Sequence, residues 1–348
     1  MHKVYVDRLG DDPFARTQEA LEFIDWRDRV EKGARVFIKP NLTYPEWKPG
    51  VTTSTEHLEA IVRVLVERTR NITIGESDGG YHSFTADQAI RAHGIPELCD
   101  RYGIQWTNLC REKVVTWETE LLGRRIRIPY SHRLLHETDV VITCPVPKVH
   151  FVVGLTASIK NQWGTVPDTM RLLYHYQFSR AINKINLTLN PITVVDGRYF
   201  LDRNGPVYGD PIPLDLVVAA PNPGAADLVL SRIMNVDPQQ APYLRIARRT
   251  GLMPQSLGEI ELNRSLAPFS DHPFALHRNF LDWLDVIEFY SKTLTWLFYA
   301  SPLAEPVHKV THLIRALQRR KFKRGEETEE GHTEPWGAYA PTEQAGMF

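Results

Sequence analysis

The residues best placed to do chemistry in this chain are lysines, asparagines and carboxylates that follow directly on apolar runs. Lys39-Pro40-Asn41-Leu42 comes after Arg35-Val36-Phe37-Ile38. There a lysine supplies a compact positive charge, and an asparagine supplies both a donor and an acceptor. Val51-Thr52-Thr53-Ser54 puts hydroxyls at a predicted helix start. Free N–H groups at such a start favour an anion, and the same residues serve equally as plain caps. Gly75-Glu76-Ser77-Asp78-Gly79-Gly80 offers two carboxylates. Glu76 and Asp78 suit a divalent metal, a general base or a hydroxylated substrate, and they also suit an ordinary polar turn. The densest cluster is Pro145-Val146-Pro147-Lys148-Val149-His150, continued by Gly154-Leu155-Thr156-Ala157-Ser158-Ile159-Lys160-Asn161-Gln162-Trp163-Gly164. Its prolines force a rigid exit from a strand, and His150 can serve as acid, base or metal ligand. Val195-Asp196-Gly197 ends a further strand, with Asn204-Gly205-Pro206 downstream. Asp196 is a candidate to orient His150, to pair with a lysine or to hold a metal.

The elements that must position these groups alternate strand with helix. Residues 35–38, 72–75, 104–107, 139–144, 192–195, 214–220 and 259–262 read as strands. Leu58, Ile61, Val62, Leu65 and Val66 recur at helical spacing, with Thr53 and Glu56 as an expected capping box. Residues 113–128 read as a hairpin turning near Gly123, and 155–190, 224–235 and 240–250 as helical. The pattern predicts an α/β fold of Rossmann-like character: a mostly parallel sheet with helices on both faces, followed by a C-terminal helical extension. In such sheets ligands bind outside the carboxyl ends of the strands, where Lys39, Glu76, Lys148 and Asp196 all fall. The expected organisation is an α/β domain over 1–265, divisible into 1–150 and 151–265. A helical, aromatic-rich extension over 266–324 and a disordered tail over 325–348 complete it.

Composition narrows the class. Hydrophobic content of 43% and charged content of 24% are globular values. With 41 basic against 42 acidic residues the chain lacks the basic surface of a nucleic-acid binder. Cys99, Cys110 and Cys144 stand in no C-x-x-C spacing and form no disulfide framework. No iron–sulfur cluster is therefore expected from this chain alone. Met1 to Asp7 reads as a strand rather than a signal peptide, and no uncharged run is long enough to span a membrane. The expected location is cytoplasmic.

Residues 280–299 form an aromatic helical pattern with Asp282, Asp285, Glu288 and Lys292 on one stripe. A second helical pattern over 306–320 ends in Arg319-Arg320-Lys321-Phe322-Lys323-Arg324. Acidic residues on the stripe disfavour lipid, so packing, homodimerisation or a protein partner through residues 280–320 is expected ahead of membrane association.

Taken in order, Lys39-Pro40-Asn41-Leu42, Thr52-Thr53, Gly75-Glu76-Ser77, Pro147-Lys148-Val149-His150, Gly154-Leu155-Thr156 to Lys160-Asn161, Val195-Asp196-Gly197 and Asn204-Gly205-Pro206 resemble the domain of unknown function 362 family, DUF362, across roughly residues 33–262. Asp227, followed by Arg232-Ile233-Met234, is similar to its later helix. Many members carry a ferredoxin-like cysteine cluster that this chain lacks. A fainter likeness, His150 to Lys160, is to nickel-dependent lactate racemase, and it implies proton or hydride transfer on a hydroxy acid.

The expectation that results is an enzyme acting on a small carboxylate- or phosphate-bearing molecule by acid/base or metal-assisted chemistry. His150, Lys148 and Asp196 are the catalytic candidates. Lys39, Asn41, Thr52, Thr53, Ser77, Lys160 and Asn161 are the substrate-binding candidates, and Glu76 and Asp78 the metal candidates. A non-catalytic metabolite-binding or redox-accessory protein is the alternative.

Overall fold

The structure, a computed structural model, describes residues 1–278, 280–302, 304 and 306. In chain order its strands are β1 (His2–Arg8), β2 (Val36–Lys39), β3 (Ile72–Glu76), β4 (Gln105–Asn108), β5 (Val114–Leu121), β6 (Arg124–Ser131) and β7 (Val140–Thr143), then β8 (Lys148–His150), β9 (Gly154–Thr156), β10 (Ile192–Gly197), β11 (Phe200–Asp202), β12 (Asp210–Ile212), β13 (Leu216–Ala220) and β14 (Ile260–Leu262). Eight of them form the main sheet, in the order β14-β1-β13-β10-β7-β2-β3-β4. Every pairing in it is parallel except those of β13 with β1 and β10.

Alternation along the strands feeds two cores. Val4 and Val6 of β1, Val195 of β10 and Val218 of β13 point to one face. Tyr5, Val194, Val217 and Ala219 point to the other. A sheet apolar on both faces must be covered on both. Helices α1 (Pro13–Phe23), α2 (Thr55–Leu65), α3 (Ala86–Ala92) and α4 (Ile95–Tyr102) cover the second face. The first is covered by the β5–β6 hairpin with α5 (His132–His136), by α7 (Phe178–Leu189), α8 (Pro223–Ile233) and α9 (Pro242–Arg249), and by a small sheet β12-β11-β8-β9. The hairpin turns through Leu122 and Gly123, both at positive φ, as a two-residue loop matching the strand twist requires.

Several local expectations need correction. The cap of α2 is Ser54, whose hydroxyl takes the His57 N–H at 3.3 Å, not Thr53. Thr53 turns its hydroxyl to the Cys144 carbonyl (2.7 Å) and accepts the Asn41 N–H (2.8 Å), so it stitches two strand exits together. The stretch expected to be helical from 155 opens with strand β9, because Gly154 at φ +88° turns the chain back on β8. Only the short α6 (Ser158–Asn161) precedes two 3₁₀ turns, at Gln162–Thr165 and Arg171–Gln177. The aromatic pattern over 280–299 forms two helices, α10 (Phe280–Tyr290) and α11 (Lys292–Tyr299), broken at Ser291, which caps the second. Val286 and Phe289 of α10 pack on the first core. The expected helix over 306–320, its basic cluster and the tail lie outside the described residues, apart from Pro306.

One buried carboxyl sets the position of α6. Asp227, within α8, accepts Ser158 N at 2.7 Å and Ile159 N at 3.1 Å. Burial raises its pKa from the usual carboxyl value to about 7, against the pull of those N–H groups. A carboxyl raised on folding favours the fold most below its ordinary value of 3.8 and loses that contribution as pH climbs through about 7. Asp227→Asn removes this pH dependence and sets an amide donor against one N–H. The expected result is a loss of about 1–3 kcal/mol at pH 8 and a flatter stability profile between pH 4 and 7. Urea unfolding across that range is the check, and an unchanged profile would mean that Asp227 stays ionised throughout.

Candidate functional site

Lys39 closes β2 and Glu76 closes β3, and the two strands run in parallel register, so their last side chains meet beyond the sheet edge. Lys39 Nζ lies 2.5 Å from Glu76 Oε2 and donates to the Pro40 carbonyl at 2.7 Å. The Leu42 N–H (3.2 Å) and the Ser77 N–H (3.0 Å) complete the carboxylate's partners. Lys39 is 1% exposed. Burial lowers its pKa, and Glu76 works against that. Asn161, at the end of α6, donates to Thr143 Oγ1 at 2.8 Å and to the Lys39 carbonyl at 3.2 Å, so α6 is tied to β2 and β7 together.

Beside this pair opens a cavity of about 260 Å³. Lys39, Asn41, Glu76, Ser77, Lys160 and Asn161 line it, joined by Thr156, Trp163, Gly164, Arg171 and Tyr208. Two cations there have no carboxylate at ion-pair distance among the described residues: Lys160, and Arg171, whose Nη1 donates only to the Asp78 and Asp168 carbonyls at 2.7 and 3.1 Å. Burial first, then the charge of Arg171, brings the Lys160 pKa down to about 7. Burial also lowers Arg171, and the charges of Glu76, Asp168 and Asp78 work against that. Ser77, Thr156 and Trp163 each carry a buried polar atom with no hydrogen-bond partner among the described residues. The Trp163 indole can only donate, and hydroxyls can donate, so the lining is rich in unspent donors. Such groups are costly to leave bare and call for an acceptor.

The remaining expected residues lie outside the cavity lining. Thr52 and Thr53 are internal braces: Thr52 Oγ1 takes the Lys48 N–H at 2.8 Å. Asp196 accepts both the N–H and the hydroxyl of Ser54, at 2.7 and 2.8 Å, and so holds the start of α2 rather than His150. Lys148 stands opposite Thr156 in the small sheet and donates to the Val51 carbonyl at 2.6 Å. Burial and Lys160 push its pKa well down. His150 shares that strand face with Lys148, and its Nδ1 accepts the Val152 N–H at 3.1 Å. Burial and the charges of Lys160, Lys148, His175 and Arg278 depress the imidazole, which is therefore neutral with its proton on Nε2. Asp78 Oδ1 is taken by the Ala86 N–H (2.7 Å) and the Asn108 amide (2.8 Å). Among the described residues no three His, Cys, Asp or Glu side chains are grouped to hold a metal. Glu76 and Asp78 are already engaged by protein donors.

Arg171 went unassigned in the sequence because its segment, Arg171-Leu172-Leu173-Tyr174-His175-Tyr176, reads as one more amphipathic turn. Thr156 and Trp163 stand inside the quoted cluster, and no spacing rule marks them as wall residues.

Residues 36–232 match the family described as Domain of unknown function (DUF362). A thylakoid-associated protein of Synechocystis sp. is 31% identical over 236 residues, which is 65% of this chain and 70% of that one. Among solved structures, a lactate racemase apoprotein from Thermoanaerobacterium thermosaccharolyticum aligns at 17% identity and a TM-score of 0.35, covering 49% of this chain and 44% of its own. A Thermotoga maritima protein aligns at 12% identity and a TM-score of 0.37, covering 69% and 59%. The chain thus spans less than two thirds of either solved protein.

Gly164 lies against the ion pair. A Cβ there would sit 2.5 Å from Glu76 Oε1 and 2.8 Å from Lys39 Nζ, and neither end can swing away without losing its other bonds. Gly164→Ala is expected to cost about 1–3 kcal/mol by overpacking, measured as a lowered urea midpoint. Wild-type stability in this variant would show the pair to be looser than its contacts indicate.

Proposed function

The chain belongs to the DUF362 family, and on the geometry of the cavity we propose that it is an enzyme acting on a small carboxylate- or phosphate-bearing substrate, with Lys160 as the acid/base group. The observation that carries this reading is the pair of cations without an ion-pair partner among the described residues, Lys160 and Arg171, on a cavity whose lining residues include Ser77, Thr156 and Trp163, each with an unspent buried polar atom. An anion entering the cavity would offer these cations a counter-charge and the buried donors beside them an acceptor. Arg171, fixed by two backbone carbonyls, is suited to hold the anionic group as a planar fork. Lys160, with a pKa of about 7, exists as both amine and ammonium near neutrality, the condition for taking and returning a proton. Lys39 and Glu76 serve as the fixed floor.

A second reading, a binding protein that docks through α10 and α11, has one observation in its favour. Trp283, Leu284, Ile287 and Trp296 are each about half exposed, and large exposed apolar groups in proximity mark contact surfaces. A thylakoid-associated relative is compatible with it. Turnover of a carboxylated or phosphorylated metabolite separates the two readings, because the second predicts binding alone.

Sulfate and acetate are suitable first probes, since neither changes charge near neutrality. Binding should be tighter at pH 6 than at pH 9, as the Lys160 ammonium is lost through about 7. Lys160→Met should weaken it about 10- to 100-fold, the scale of one charged hydrogen bond. Calorimetric titration reads both effects. Equal affinity in wild type and variant, or no pH dependence, would falsify the assignment of Lys160.

A further inference from the structure

The C-terminal helices touch the two segments that supply cavity walls, the loop before Phe84 and the turn that carries Arg171. The rim loop from Gly79 to Phe84, whose Gly79, Gly80, Ser83 and Phe84 line the cavity, carries two consecutive non-glycine residues in the left-handed region, Tyr81 (φ 55°) and His82 (φ 53°). A backbone held this way persists only where its surroundings enforce it. The enforcement is visible in the contacts. The Tyr81 N–H donates to the Thr169 carbonyl at 2.6 Å, His82 Nε2 lies 3.3 Å from Thr169 Oγ1, and Arg171 returns a bond to the Asp78 carbonyl. Rim and Arg171 segment therefore form one unit. That unit is gripped from outside by α10 and α11. Phe289 stacks on His175 with ring centroids 3.7 Å apart, and Tyr299 meets Tyr81 edge-on at 5.2 Å. Lys292 lies over the Tyr176 ring at 5.4 Å.

We propose that Phe289 and Tyr299 are positioning residues of the site: through His175 and Tyr81 they hold the Arg171 segment and the glycine rim closed over the cavity. The extension is then part of the site rather than an appendage beside it. This inference goes beyond the assignment of a substrate class, because closure is a property of the protein without ligand.

Hydrogen exchange of the full chain tests it together with the proton affinity of Lys160, read by competitive acetylation and peptide mass spectrometry. In Phe289→Ala and Tyr299→Ala the Tyr81 amide is expected to exchange about tenfold faster, the scale of one aromatic pair. Exchange in β2, β7 and β10 should stay unchanged, and the Lys160 pKa should move from about 7 toward 10.5 as water enters. Tyr299→Phe, which keeps the ring, should behave as wild type. Unchanged rim exchange and Lys160 affinity would overturn the proposal, as would equal acceleration in the central strands. If Phe289→Ala does not fold, the partly exposed Tyr299 decides the matter alone. An inability to bind sulfate or acetate leaves these readouts intact, so the two proposals fail separately.

Discussion

Two parallel strand ends are tied together by a lysine and a glutamate that water scarcely reaches. Lys39 and Glu76 are 1% and 4% exposed, and taking both charges from water costs several kcal/mol before attraction returns any of it. A pair of hydrophobic residues would close the same gap at no such cost. What the ion pair adds is direction. Its oxygens accept the N–H groups of Leu42 and Ser77, so the two loops leaving β2 and β3 are led away from the sheet at set angles. Gly164 must lie against the pair, because no side chain fits there. The floor of the cavity, its two loops and the segment carrying Trp163 thus share one electrostatic anchor.

That dependence explains why the sheet edge was readable in advance and the walls were not. An apolar run ending in Lys39 or in Glu76 announces a strand terminus, and the rule that ligands gather at such termini finds the floor. Lys160 and Asn161 were found by their density among small residues. The walls follow another logic. Arg171 enters from a 3₁₀ turn seven residues beyond the cluster, and its charge is steadied by backbone carbonyls that carry no sequence signature. Thr156 faces the cavity only because Gly154 folds β9 back on β8, a reversal that a helical expectation for this stretch conceals.

Asp196 and His150 show the converse. Asp196 stands one residue before the end of β10 and His150 ends β8 in the small sheet, and strand position alone cannot tell which way such a side chain turns. Asp196 meets the hydroxyl and N–H of Ser54, and the start of a helix is a strong claimant for a carboxylate. His150 gives its Nδ1 to a neighbouring N–H, and the surrounding cations keep the ring neutral. Each serves the site by fixing an element: Asp196 holds α2, His150 the hairpin of β8 and β9. Asp227, noticed only through family likeness, proves to set the helical turn that carries Lys160.

The chemistry of the cavity follows from an imbalance rather than from any one residue. The floor charges Lys39 and Glu76 meet in an ion pair, whereas Lys160 and Arg171 on the walls have no carboxylate at ion-pair distance among the described residues. Lys160 answers by losing proton affinity, and Arg171, which cannot deprotonate, keeps its charge and depresses Lys160 further. A site left in this state stabilises whatever negative group enters, and the entry of that group must raise the proton affinity of Lys160 again. Binding and protonation are therefore linked: the ligand that needs the ammonium also creates it. A substrate anion would arrive at an amine, recharge it, and so place a proton beside its own reacting atoms. Ser77, Thr156 and Trp163, each with a polar atom that has no partner among the described residues, stand in the wall where that group would enter.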